Sequence, residues 1–234
     1  MLRRRIFAIG DLHLSFASEK PMDIFGSGWE RHHEKIRANW LESVDADDIV
    51  LILGDISWAL KFEDALADLA WIHALPGTKV LLRGNHDLWW GSVSKLRNLY
   101  EDMIFIQNDS YVVDDRVICG SRGWLTPCDA NYAASTDEKI YKRELIRLRM
   151  ALESAQRSGA PERIVGLHYP PTAWPDAASG FKDLIDEFGA AKVVYGHLHG
   201  KDAFKKGMRG RRGETEYLLA SADYVNFAPI LISE

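Results

Sequence analysis

Five short clusters of carboxylate, imidazole and amide side chains punctuate the chain, each at the end of an apolar run. IFAIG leads into Asp11-Leu12-His13, IVLIL into Gly54-Asp55, and KVLL into Arg83-Gly84-Asn85-His86-Asp87. RIVGL leads into His168, and KVVYG into His197-Leu198-His199. One Asn-His-Asp after a strand is commonly only a turn, because Asn and Asp tolerate positive φ and bond their own backbone. Recurrence changes the reading: five of the eight histidines lie in these clusters. Carboxylate, imidazole and amide oxygen are hard-to-borderline ligands suited to Zn, Fe or Mn, and soft sulfur is missing from every cluster. Asp11, His13, Asp55, Asn85, His168, His197 and His199 make seven candidate ligands, too many for one tetrahedral ion. Two metals fit better.

The elements that must position these residues are legible as hydrophobic runs. IFAI (6 to 9), IVLIL (49 to 53), KVLL (79 to 82), RIVGL (163 to 167) and KVVY (192 to 195) read as strands buried on both faces. Helical patterns lie between them: Trp29, Ile36, Trp40 and Val44 form one stripe, and Leu66, Leu69 and Ile72 another. The longest helix is expected to start near Ser135, at a capping box ending in Glu138, and to stop near Gly159. Strand, helix, strand alternation predicts a largely parallel sheet, whose carboxyl ends face one crevice. From 103 to 119 the pieces YVVDD and RVICG predict an antiparallel hairpin, and DAFKKGM and ETEYLLAS are expected to flank a turn at RGRRG. The expected fold is α/β, two packed mixed sheets with helices outside, in a single domain over 1–234. Residues two apart on extended chain project to one side, so Asp11 with His13, and His197 with His199, are each expected to face one cavity. Gly10, Gly54, Gly84 and Gly196 mark tight turns or close backbone approach there.

Bulk properties narrow the partners. A net charge of −5 argues against a general polyanion-binding surface, so nucleic acid is not favoured. The basic run KKGMRGRRG at 205 to 213 lacks aromatic interleaving and reads as a solvated hairpin tip. Cys119 and Cys128 read as ordinary reduced thiols. No apolar stretch approaches the ~18 residues needed to span a bilayer, and IFAIG is too short for a secretory h-region. A cytoplasmic location is expected, with no membrane partner.

The ordered set DLH at 11 to 13, GD at 54 to 55, GNHD at 84 to 87, His168 and GHLH at 196 to 199 resembles the calcineurin-like metallophosphoesterase superfamily. Any one piece is weak; all five in order, each after a strand, are specific. The resemblance implies a four-layer α-β-β-α sandwich and a binuclear centre of transition-metal ions, Mn, Fe or Zn. It implies that Asp11, His13 and His199 hold one ion, that Asn85, His168 and His197 hold the other, and that Asp55 bridges them. A metal-bridging hydroxide would attack phosphorus, and His86 would be the general acid, oriented by a hydrogen bond from its ring to Asp87. The expected substrate is a small phosphomonoester or phosphodiester. The competing reading is a non-catalytic metal-binding module on the same fold, as the retromer subunit resembling this superfamily suggests; such a scaffold lacks the histidine of Asn-His, which His86 supplies here. A binuclear amidohydrolase barrel also uses His-x-His, but on its first strand and with eight strand-helix units.

Other residues carry bland expectations. Arg83 has two readings, phosphate contact or structural ion pair. His33, four residues after Trp29, is expected to be the partly buried member of the pair His32-His33, and His73 a dipole partner at a helix end. Trp58, Trp89, Trp90, Trp124 and Trp174 are expected mostly as packing. The sharper reading makes several of them, Trp89 and Trp174 first, an aromatic wall for a flat substrate group.

Overall fold

The computed structural model describes residues 3–234 of the chain. The first sheet holds β1 (Ile6–Ile9), β2 (Ile49–Ile52), β3 (Thr78–Leu81) and β4 (Met103–Phe105), all parallel, with β11 (Ile230–Ser233) antiparallel on β1. Its order is β11-β1-β2-β3-β4. The second sheet has the order β5-β6-β7-β8-β10-β9. Its parallel centre is β6 (Arg116–Ser121), β7 (Glu162–Leu167), β8 (Lys192–Tyr195) and β10 (Thr215–Leu219). Antiparallel β5 (Ser110–Val113) and β9 (Gly210–Arg212) close its edges.

Successive side chains on β1, β2, β7 and β8 enter different cores, which is why their runs are almost continuously apolar. Ile6 and Ala8 on β1, Ile49 and Leu51 on β2, Ile164 on β7 and Val194 on β8 meet between the sheets. Phe7, Ile9, Val50 and Ile52 face outward onto α1 (His32–Ser43) and α2 (Phe62–His73), where Ile36, Trp40, Leu69 and Ile72 are buried. Val165, Leu167, Val193 and Tyr195 face the other way, onto α4 (Ala134–Arg157) and α5 (Gly180–Phe188). The result is helix, sheet, sheet, helix. Two short helices, α3 (Val93–Leu96) and α6 (Gly200–Phe204), lie in connections. Among the described residues no helix is long and apolar enough to cross a membrane.

Several expectations shift by a turn or change type. Trp29 lies in a 3-10 turn, Ser27–Trp29, before α1, yet still packs in the core. On α2 the buried stripe runs through Ala65, Asp68, Leu69 and Ile72, while Leu66 is half-buried. α4 starts at Ala134 without a capping box: Asp137, not Glu138, reaches back to accept the Ala133 N–H at 2.8 Å. Its far end does stop at Gly159, with φ of 73°. Of the buried pair it is His32 whose two ring nitrogens meet Leu12 and Trp29 carbonyls, at 3.0 and 3.2 Å, while His33 stays half-exposed. The tail hairpin turns at Gly213-Glu214, so Gly210–Arg212 is itself a strand, and DAFKKGM begins inside α6 and leaves it after Phe204.

One buried ion pair ties the edge of the first sheet together. Lys79 on β3 is almost wholly buried and donates to the Leu75 and Gly77 carbonyls at 2.7 and 2.9 Å and to Asp102. His73 reaches the other Asp102 oxygen at 2.7 Å. Burial pushes the Asp102 carboxyl up, but Lys79 and His73 outweigh it and hold it below its ordinary value of 3.8. A carboxylate with a depressed folded pKa contributes stability above its unfolded pKa and loses it as pH falls through the folded one. Asp102→Asn should therefore lower unfolding free energy near pH 7 by roughly 1–3 kcal/mol, as a lost charged partner of a buried donor does. The difference from wild type should shrink below pH 3.8 in urea titrations; a gap independent of pH would contradict this account.

Candidate metal centre

All five polar clusters lie at the carboxyl ends of β1, β2, β3, β7 and β8, on loops from both sheets. The sheets are joined there: the Gly10 N–H donates to the Ala220 carbonyl at 2.7 Å, and the Ala222 N–H to the Gly10 carbonyl at 3.0 Å. The loops are not extended. Asp11, His13, Asp55 and His197 have φ of 60°, 46°, 48° and 70°, so the chain coils at each ligand instead of alternating sides. Residues Asp11 and His13 still share one group, whereas His197 and His199 divide between two. Glycine makes the approach possible: a Cβ on Gly84 would lie 2.1 Å from Asp55 Oδ1, and one on Gly196 would lie 2.6 Å from Asp11 Oδ2.

Two groups of candidate ligand atoms result, Asp11-His13-His199 and Asp55-His168-His197, each with its atoms within 4.8 Å of one another. In the first, His13 Nε2 faces His199 Nε2 at 3.4 Å, and His199 Nε2 lies 3.6 Å from Asp11 Oδ1. In the second, His168 Nε2 lies 3.2 Å from His197 Nδ1, 3.5 Å from Asp55 Oδ2 and 2.7 Å from Asn85 Oδ1. Asp55 Oδ2 is also 3.8 Å from His13 Nε2. One carboxylate oxygen thus faces both groups.

The donors fit cations. His168 Nδ1 meets the Leu53 carbonyl at 2.9 Å, so that nitrogen carries the proton and Nε2 presents a lone pair. That lone pair points at other acceptors, an arrangement a cation resolves. His199 Nδ1 is held the same way by Asp223 Oδ1 at 2.9 Å, leaving Nε2 for the first group. Asp223 carries no signature in the sequence: it follows β10 in Ser-Ala-Asp-Tyr, without the His or Gly that marks the other clusters.

Electrostatics show how costly the cluster is without positive charge. Burial and then repulsion from Asp11 push the Asp55 carboxyl up to about 8. For Asp11 burial is outweighed by His199 and its neighbouring imidazoles, which hold it below the ordinary carboxylate range. His199 is opposed by burial, yet Asp11 and Asp223 raise it to about 10. Burial and the adjacent His168 push His197 down to about 3, keeping it the neutral imidazole a metal needs.

Two assignments change. Asp87 is fully buried and accepts from Ile56 N at 2.9 Å, Ser57 N at 3.2 Å, Gly84 N at 2.7 Å and the Trp89 indole at 3.0 Å. It makes no hydrogen bond to His86 among the described residues; it pins the β2 loop to the β3 loop, fixing Asp55 relative to Asn85. The His86 ring packs instead on Trp58, centroids 4.2 Å apart, with Nε2 3.9 Å from Asp55 Oδ2. Arg83 donates to the Asp87 carbonyl at 3.2 Å and lines a cleft with Arg122, Glu144 and Arg147; among the described residues it makes no ion pair. Trp89 and Trp90 are core residues and exposed Trp174 lines neither cleft at the centre, so Trp89 and Trp174 form no wall there; Trp29, Trp58 and Tyr169 are among the aromatic residues beside it. The two cysteines are free.

Comparison with known proteins places this geometry. The profile of the family described as calcineurin-like phosphoesterase matches residues 4–201. The Gene 66 protein of Mycobacterium phage L5 is 35% identical over 77 residues, 33% of this chain, and the match spans 37% of that protein's length. The chain is similar in fold to the phosphopantetheinyl hydrolase of Mycobacterium tuberculosis, with 16% identity and a TM-score of 0.58 over 98% of this chain and 96% of that one. A Thermus thermophilus protein gives 14% and 0.55 over 86% and 84%. An Aquifex aeolicus protein of unknown function gives 17% and 0.52 over 97% and 95%. These likenesses bear out the four-layer sandwich.

Two outcomes follow. After chelation, added Mn²⁺ or Zn²⁺ should raise the melting temperature with concentration, and Asp223→Ala should need roughly 10–100-fold more metal. A melting temperature indifferent to metal would contradict the assignment. Asp87→Asn should cost roughly 1–3 kcal/mol in urea unfolding, because an amide nitrogen must then face an N–H donor. A variant of wild-type stability with a selective loss of kcat would restore the His86-orienting role.

Proposed function

The chain belongs to the calcineurin-like phosphoesterase family, and from that premise we propose that it hydrolyses a phosphomonoester or phosphodiester at a two-metal centre with His86 as general acid. Asp11, His13 and His199 would hold one ion, Asn85, His168 and His197 the other, and Asp55 would serve both. When bound, a pair of divalent cations acidifies water and neutralises charge on the phosphoryl oxygens. The observation that carries the reading is the single Asp55 oxygen facing His168 at 3.5 Å and His13 at 3.8 Å.

The protein's own groups supply the rest. His197 and His168 are kept neutral by burial. Leu53 and Asp223 fix which nitrogens of His168 and His199 face inward. His86 is half-exposed in the wall of a cavity it shares with His13 and Asp55, where its ring can reach the oxygen of a departing group. A non-catalytic module has no use for a free imidazole there. Both sheets deliver ligands, which supports treating the chain as one functional domain.

The test is leaving-group dependence. Metal-loaded His86→Ala should lose roughly 100- to 10,000-fold in kcat on alkyl phosphates, the contribution of a positioned acid, and much less on p-nitrophenyl phosphate, whose phenolate departs unaided. Equal losses on both would remove His86 from the acid role.

A further inference from the structure

Two clefts meet at the candidate centre, and their chemistry differs. Each has a volume of about 320 Å³, and His197 and His199 stand in the walls of both. The first is apolar: Met22, Phe25, Trp29 and Trp58 surround the side on which His13, Asp55 and His86 open. Trp58 is held there by stacking on His13 at 4.9 Å and by an indole N–H to Met22 Sδ at 3.2 Å. Phe25 is largely exposed at the rim.

The second cleft is walled by Trp124 and Tyr169, centroids 5.0 Å apart, with Tyr169 against His197 at 4.0 Å. Thr126 and Thr172 also line it. Both residues are buried, and neither hydroxyl has a hydrogen-bond partner. Buried hydroxyls without partners are uncommon, and a pair in one cleft marks unused hydrogen-bonding capacity. Beside the candidate ligands, Asp129 and Lys206 give this lining one charge of each sign, hence no net charge to favour an ionic guest.

A phosphomonoester carries one organic group and fills one cleft; a diester carries two. Resting on the phosphoesterase reading above, we infer that the substrate is an unsymmetrical phosphodiester. Its apolar or aryl group lies against Trp29, Trp58, Met22 and Phe25, and its neutral hydrogen-bonding group, a sugar or amide, lies in the Trp124–Tyr169 cleft. His86 lines only the apolar cleft, so the apolar group is the one that departs. Water's oxygen forms a new bond to phosphorus, and the P–O bond to the apolar alcohol or phenol breaks. The departing oxygen keeps the bonding pair and takes a proton from His86; water's hydroxyl stays on phosphorus, and its second proton replaces the one His86 gave. The products are the apolar alcohol and a monoester of the polar group.

The metal-loaded full chain separates the two levels of this reading with thymidine 5′-(p-nitrophenyl phosphate) and p-nitrophenyl phosphate as probes. The diester should be preferred at least tenfold in kcat/KM and should yield p-nitrophenol and thymidine monophosphate. Thr126→Val and Thr172→Val should raise KM for the diester about five- to tenfold more than KM for p-nitrophenyl phosphate, the size of one lost neutral hydrogen bond. Thr126→Ser should restore it, which separates a lost hydroxyl from misfolding. Trp58→Ala should raise KM for both probes. Preference for the monoester, equal effects of the valine variants on both probes, or release of thymidine would overturn the two-cleft assignment and leave the phosphoesterase reading standing. A wild type that hydrolyses neither probe with any added metal would overturn both.

Discussion

Repulsion between two buried carboxylates governs this structure. Asp11 and Asp55 are shut away from water within one knot of imidazoles, and burial, then repulsion from Asp11, push the Asp55 carboxyl up to about 8. Burying like charges is costly unless counter-charge is supplied, and the chain supplies only imidazoles, most of them depressed by the same burial. His199 is the exception because it has two carboxylates, Asp11 and Asp223. Protons satisfy such a site poorly, and its donor set is of the kind that suits cations.

Keeping the two acids together places demands on the backbone some distance away. The parallel strands of each sheet end at the same edge, and the exchange of hydrogen bonds between Gly10 and the 220–222 segment stitches the two edges together. Without that stitch Asp11 would belong to one sheet and its His197 N–H partner, at 2.9 Å, to another body. Asp87 performs the matching task inside the first sheet, taking N–H donors from two loops at once. Four candidate ligands, Asp11, His13, Asp55 and His197, are held in left-handed conformations, which a scaffold tolerates where rigid elements on both sides determine the path.

The sequence displayed the candidate ligands because each follows a local signal: a doubly buried strand is a continuous apolar run, and a change to Asp, Asn, His or Gly marks its end. All five such strands are present, and their polar ends do converge. What it concealed depends on distant partners. Asp223 orients His199 from a loop with nothing distinctive around it. Asp87 looked like a partner for the adjacent His86, but adjacency in a tight turn points the two side chains apart. Trp89 and Trp58 both follow a cluster, and only packing decides that one is core and the other cleft. The strands β4, β9 and β11, with three, three and four residues, are too short to show a period, and their sheet membership is set by neighbours.

Orientation of His86 by an indole instead of a carboxylate has a chemical consequence. A carboxylate on the ring would stabilise the imidazolium and make it hold its proton. Trp58 fixes the ring by contact at 4.2 Å and offers no charge, while burial and then the neighbouring His168 lower the His86 pKa. In the acid role proposed for His86, a lowered pKa makes the imidazolium a stronger donor and a scarcer one near neutral pH, with Asp55 Oδ2 3.9 Å from the ring and Asp11 the carboxylate that opposes the shift. The same indole stacks on His13 at 4.9 Å, so one apolar side chain sets a candidate ligand, a candidate acid and the wall of the adjoining cleft. Positioning and recognition are therefore coupled through Trp58, and a group bound in that cleft rests against the surface that aligns the proton donor.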